Sequence, residues 1–96
     1  MKVEDLISTE DLCVRYQVEQ QFIRALDDKG IIEIKRVEHR EYILLDQINE
    51  FERMRRFYYE LHLNMESLEV VRHLLDKIEG LQLEKQRLLN RLRRYE

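Results

Sequence analysis

From Val71 to the C-terminus, apolar residues recur at alternating intervals of three and four: Val71, Leu74, Ile78, Leu81, Lys85, Leu88, Leu92 and Tyr95, with Lys85 the one charged member. This is the spacing of a coiled-coil seam, a stripe on one helix that another helix must cover. At ~1.5 Å per residue the stripe runs for roughly 36 Å, more than the rest of the chain can cover by itself. A second copy is the simplest cover, so Val71, Leu74, Ile78, Leu81, Leu88 and Leu92 are the expected homodimer contacts. The chain divides accordingly into residues 1–63, a small domain, and residues 64–96, a dimerisation helix opened by Asn64.

Composition agrees with a mainly α protein. The 96 residues include no proline, glycine only at positions 30 and 80, and 39% charged side chains, which favours helices over a turn-rich β fold. Gly80 costs a helix about 1 kcal/mol without stopping it.

Upstream, Ser8 and Asp11 have the Ser-x-x-Asp spacing that starts a helix, and Leu12 and Tyr16 lie one turn apart, predicting a helix over about 9–16. A second follows from about Glu19 to Lys29, with Val18, Phe22, Ala25 and Leu26 on one face and Gly30 closing it. Two short helices joined by a tight turn form a helix-turn-helix. The period then shortens to two: Ile32 and Ile34, a break at Val37 to His39, then Tyr42 and Leu44, predicting a hairpin wing. Asp46 is placed to cap a third helix reaching about Leu61, with Ile48, Phe51, Met54, Tyr58 and Leu61 inward.

This architecture, with Arg24, Gly30-Ile31-Ile32, Arg40, Tyr42 and Asp46 at the matching places, resembles the MerR family of bacterial regulators: a winged helix-turn-helix with a small β-hairpin wing and a long C-terminal coiled-coil helix. The resemblance implies antiparallel pairing of the arms. Where DNA-binding members of that family follow the arginine with two tyrosines, this chain has Ala25 and Leu26. The stretch YYELHLNMESLEVVRHLLDKIEGLQLEKQRLLNRLRRYE, including the junction Leu61-His62-Leu63-Asn64, resembles the chaperone-modulator (CbpM) branch. That branch implies a partner, a J-domain co-chaperone of the CbpA/DnaJ type, which it binds and restrains.

Charge points the same way. Residues 1–30 hold seven acids against four bases, whereas residues 64–96 hold six against seven. Glu10, Asp11, Asp27 and Asp28 are therefore the candidate partner-binding residues, since a J-domain's second helix is basic and opposite charges favour encounter. Asp27 and Asp28, set late in a helix against its dipole, are expected to be exposed. The alternative, a MerR-like DNA-binding transcriptional regulator, would rely on Arg24, Arg36 and Arg40, but nucleic acid is the less expected ligand for an acidic helix-turn-helix.

The segment ERMRRFYYE interleaves arginines with aromatics, yet helical geometry assigns Met54 and Tyr58 to the buried stripe and turns Arg53 and Arg56 away from it. The basic tail Lys85, Arg87, Arg91, Arg93 and Arg94 complements a helix C-terminus. His39, His62 and His73 share no ligand spacing, Cys13 stands alone as a small apolar residue, and no phosphate loop or nucleophile motif occurs. No enzyme activity, metal or cofactor is expected. With no apolar leader or membrane-length run, the expected location is the cytoplasm.

Overall fold

The computed structural model describes residues 5–95. Strand β1 (Leu6–Ser8) leads directly into helix α1 (Thr9–Tyr16), and helix α2 spans Gln20–Asp28. Strands β2 (Ile34–Val37) and β3 (Arg40–Leu44) follow, then a 3-10 turn over Leu45–Gln47, helix α3 (Ile48–Arg55), a π-turn over Arg56–Glu60 and helix α4 (Met65–Arg93). The fold is the expected mainly α winged helix-turn-helix with a long final helix.

Local chemistry accounts for most boundaries. The Ser8 hydroxyl accepts from the Asp11 amide at 3.1 Å, capping α1, and Gln17 leaves the helix in the left-handed region at φ 54°. At the end of α2, Gly30 adopts φ +74°. There Gly30 donates to the Asp27 carbonyl and Ile31 to that of Leu26, both at 2.9 Å, a Schellman closure that turns Ile31 into the core. Thr9, almost fully buried, accepts from the Gln20 side chain at 3.1 Å and clamps the starts of α1 and α2 together.

The wing is a three-stranded antiparallel sheet of order β1-β3-β2. The hairpin turns at Glu38 and His39, both at positive φ, with Val37 paired to Arg40 inside the strands. The break expected at Val37 to His39 is thus one residue shorter. Strand β1, absent from the sequence expectation, pairs Leu6, Ile7 and Ser8 with Leu44, Ile43 and Tyr42. Three residues are too few to display alternation.

The third helix departs from expectation in two ways. Asp46 makes no capping hydrogen bond, because the 3-10 turn lies ahead of α3. The helix also fails to continue regularly to Leu61: the Leu61 amide donates to the Arg56 carbonyl, an i to i+5 bond. The wider turn rotates later side chains out of the α-helical register, so Leu61 is 63% exposed rather than inward. Asn64 caps α4 as expected, its Oδ1 accepting from the Ser67 amide at 2.8 Å.

Phe22, Ile23 and Leu26 of α2 meet Phe51 and Met54 of α3 in the core, with Leu12, Val18, Ile31, Ile32 and Ile43 around them. Leu68 completes it, so the first turns of α4 pack as part of the head. Ion pairs Lys29–Glu69 (3.4 Å) and Arg72–Glu50 (3.8 Å) flank that contact. Beyond Leu75 every described residue of α4 is exposed. The chain is elongated accordingly, with a radius of gyration of 17.1 Å against ~12.5 Å for a compact chain of this length. Leu74, Ile78, Leu81, Leu88 and Leu92 are all about half exposed or more, while Val71 is half-buried.

Tyr16 braces α1 on α3. Its ring meets Phe51 edge-on at 5.2 Å, its hydroxyl donates to Glu52, and its carbonyl accepts from Arg55 Nε at 2.7 Å. The hydrogen bond to Glu52, and secondarily burial, holds the Tyr16 phenol above its usual range. The raised folded value means stabilisation while the phenol is protonated, lost as pH rises beyond about 10. Tyr16→Phe keeps the ring contact and should cost about 1 kcal/mol at neutral pH, with the gap to wild type narrowing in alkaline solution. Denaturant unfolding across that range tests this, and a gap independent of pH would rule it out.

Candidate protein-interaction site

Helix α2 separates two clefts. The larger, about 880 Å³, lies between the helix-turn-helix and the wing. Glu10 and Asp11 enter it from the first turn of α1, Arg15 and Arg24 from the helices, and Arg36, Arg40 and Glu41 from the hairpin. Three carboxylates and four guanidinium groups therefore share one surface, and they are partly paired with each other. Glu41 is opposite Arg36 in the strand register and lies 3.3 Å from it; Arg24 of α2 reaches the same carboxylate at 3.8 Å. Two of the three arginines expected on a DNA-reading face thus converge on one mostly covered carboxylate.

The structure does not gather the four candidate acids. Glu10 and Asp11 are exposed and line the wing cleft, but Asp27 and Asp28 do not. Asp27, expected to be exposed, is half-buried, and its carboxylate accepts from the Ile34 amide at 3.2 Å. It ties the end of α2 to the first wing strand, a structural return that neutralises its poor placement against the helix dipole. Asp28 is exposed. At i+3 from Ala25 and i+7 from Gln21 it continues their face of α2.

That face borders the second cleft, about 400 Å³, walled by Phe22, Tyr58, Tyr59 and Met65, with Ala25 and Gln21 from α2 and Glu19 at its edge. The rings form a triangle: Phe22 to Tyr58 5.0 Å, Phe22 to Tyr59 5.2 Å, Tyr58 to Tyr59 5.0 Å. Sequence reasoning assigned Tyr58 to the stripe and missed the cleft. Tyr58 and Tyr59, adjacent in the π-turn, both reach Phe22. Tyr59 also accepts from the Glu19 amide at 3.3 Å, satisfying an amide at the start of α2, which has no side-chain cap of its own.

The remaining candidates are accounted for locally. Arg53 pairs with Glu50, and Arg55 lies 5.9 Å over the Tyr59 ring and 3.9 Å from Glu60. Arg56 is exposed. Cys13 is half-buried against the core; burial, and then the Glu10 carboxylate, push its thiol upward. Among the described residues, no group of His, Cys, Asp and Glu could hold a metal ion, and no helix is long and apolar enough to cross a membrane.

A family model described as MerR HTH family regulatory protein matches residues 7–91, both head and arm. The chain belongs to the MerR helix-turn-helix family. No curated protein and no solved structure matches it significantly. In this MerR-type frame the wing cleft lies beside the second helix of the helix-turn-helix, and the aromatic cleft lies where that helix meets the root of the arm.

Asp27→Ala should cost about 1–2 kcal/mol by releasing the wing strand, whereas Asp28→Ala should stay within about 0.5 kcal/mol of wild type. Urea unfolding of both variants is the check; equal effects would remove Asp27 from its wing-anchoring role.

Proposed function

We propose that this chain acts by binding, as a homodimeric cytoplasmic modulator that occupies the J-domain of a CbpA/DnaJ-type co-chaperone and blocks its productive encounter with a DnaK-type chaperone. The observation that carries the reading is the state of the wing cleft. A phosphate-reading face needs several free cations, whereas here Arg24 and Arg36 share Glu41, and Glu10 and Asp11 stand in the same wall. Ala25 and Leu26 follow Arg24, Leu26 being wholly buried, so neither provides a polar group for phosphate. The J-domain as partner draws on the resemblance of residues 58–96 to the chaperone-modulator branch, and on acids at positions 10, 11 and 28 suited to a basic helix. The homodimer draws on the uncovered seam from Val71 to Leu92.

A second reading, a DNA-binding regulator, draws on Arg15, Arg24, Arg36 and Arg40 lining that same cleft. Exposed ion pairs such as Arg24–Glu41 contribute only about 0–1 kcal/mol, so phosphate could displace them.

Sedimentation equilibrium at roughly tens of micromolar, where a dimer of moderate affinity stays assembled, should return twice the chain mass. Leu81→Glu with Leu88→Glu should return the single chain with its head still folded. A monomeric wild type would refute the dimer.

Surface plasmon resonance with a purified J-domain should show a complex weakened by salt. Glu10→Lys with Asp11→Lys should slow association more than it speeds dissociation, the signature of charge steering. Failure of the wild-type chain to bind, together with enrichment of a palindromic site from a random duplex library, would replace this reading with the transcriptional one.

A further inference from the structure

We infer that the aromatic cleft between α2 and the root of α4 is the anchor site for the partner, taking one apolar side chain from a helix that carries lysine or arginine beside it. The inference rests on the reading of this chain as a J-domain-binding protein. Phe22, Tyr58, Tyr59, Met65, Ala25 and Gln21 line the cleft, and among the described residues Glu19 is the only charged one that does. Partly buried tyrosines and a methionine in a concave site are the residues on which interface energy concentrates, and methionine adapts to varied partners.

Charge selects the occupant. Glu19 lines the cleft, Asp28 continues the Gln21–Ala25 face, and Glu66, the chain neighbour of Met65, is exposed. The nearby cation Arg55 is engaged over Tyr59, on the Tyr16 carbonyl and with Glu60. A basic flank would meet these carboxylates.

A second copy is not the fitting occupant. Met65 lies nine residues from Leu74, which is two and a half helical turns, so it stands on the side of α4 opposite the seam. Arms paired along the seam leave the cleft open, and a dimer can therefore offer it on each head. Ala25, a small residue beside Phe22 in the lining, adds little bulk to the cleft.

The test uses the full-length protein carrying 13C-methyl methionine, titrated with a purified J-domain. Met65 at the cleft should shift, and Met54, fully buried in the core, should report little change. Ala25→Trp, which adds bulk to the lining, should weaken binding roughly tenfold or more with unchanged helicity and dimer mass; Ala25→Leu serves if the larger residue disturbs folding. A J-domain that binds while Met65 stays unmoved and both position-25 variants bind like wild type would overturn the cleft and leave the partner reading intact. A J-domain that does not bind at all rejects the partner reading instead. The same Met65 measurement is then made with a synthetic amphipathic leucine-lysine helix: a shift abolished by Ala25→Trp supports the cleft, and silence overturns it.

Discussion

The packing of Phe22 against Phe51 organises the molecule. Phe51 is completely buried, with Tyr16 edge-on at 5.2 Å on one side and Phe22 at 6.1 Å on the other. Through Phe22 the contact extends to Tyr58 and Tyr59. This aromatic chain links α1, α2, α3 and the π-turn, the elements whose relative placement defines the head. Such ring pairs prefer tilted or edge-on geometry, so they constrain orientation as well as distance. Leu68 joins the same core, and the arm therefore leaves the head in a defined direction rather than from a loose linker.

The charges are arranged around that frame. Paired groups hold the parts in register: Asp27 on the Ile34 amide, Glu41 between Arg24 and Arg36, Glu50 between Arg53 and Arg72. Exposed acids without such duties, Glu10, Asp11 and Asp28, are left facing solvent on either side of α2. Helix α2 is thereby flanked by one mixed-charge cleft and one aromatic cleft. The Arg24–Glu41 pair, at 3.8 Å and with its arginine largely exposed, adds little stability.

Much of this was legible. The Ser8 cap, the closure at Gly30 and the Asn64 cap follow from local chemistry, and each appears where the spacing puts it. The candidate site was legible only in part. Glu10 and Asp11 read as exposed acids and are so, but Asp27 reads the same way and is not, because its hydrogen-bond partner lies on another element seven residues away. Leu61 reads as a core position by period and is exposed, because the π-turn over Arg56–Glu60 breaks the α-helical register just before it. Glu38 and His39 carry none of the glycine or asparagine that marks a two-residue turn, yet both adopt positive φ to close the hairpin.

By itself the sequence determined what depends on near neighbours along the chain: the helices, the Ser8 and Asn64 caps, the winged helix-turn-helix order and the long apolar stripe of α4, most of which lies beyond the head. These are settled by periodicity and by bonds spanning a few residues. Only the tertiary structure decided which side chains share a surface. The pairing of β1 with β3, the meeting of Tyr58 and Tyr59 with Phe22, and the separation of Glu10 and Asp11 from Asp27 all depend on contacts between distant segments. Such contacts are set by how the core packs as a whole, and no local spacing encodes them.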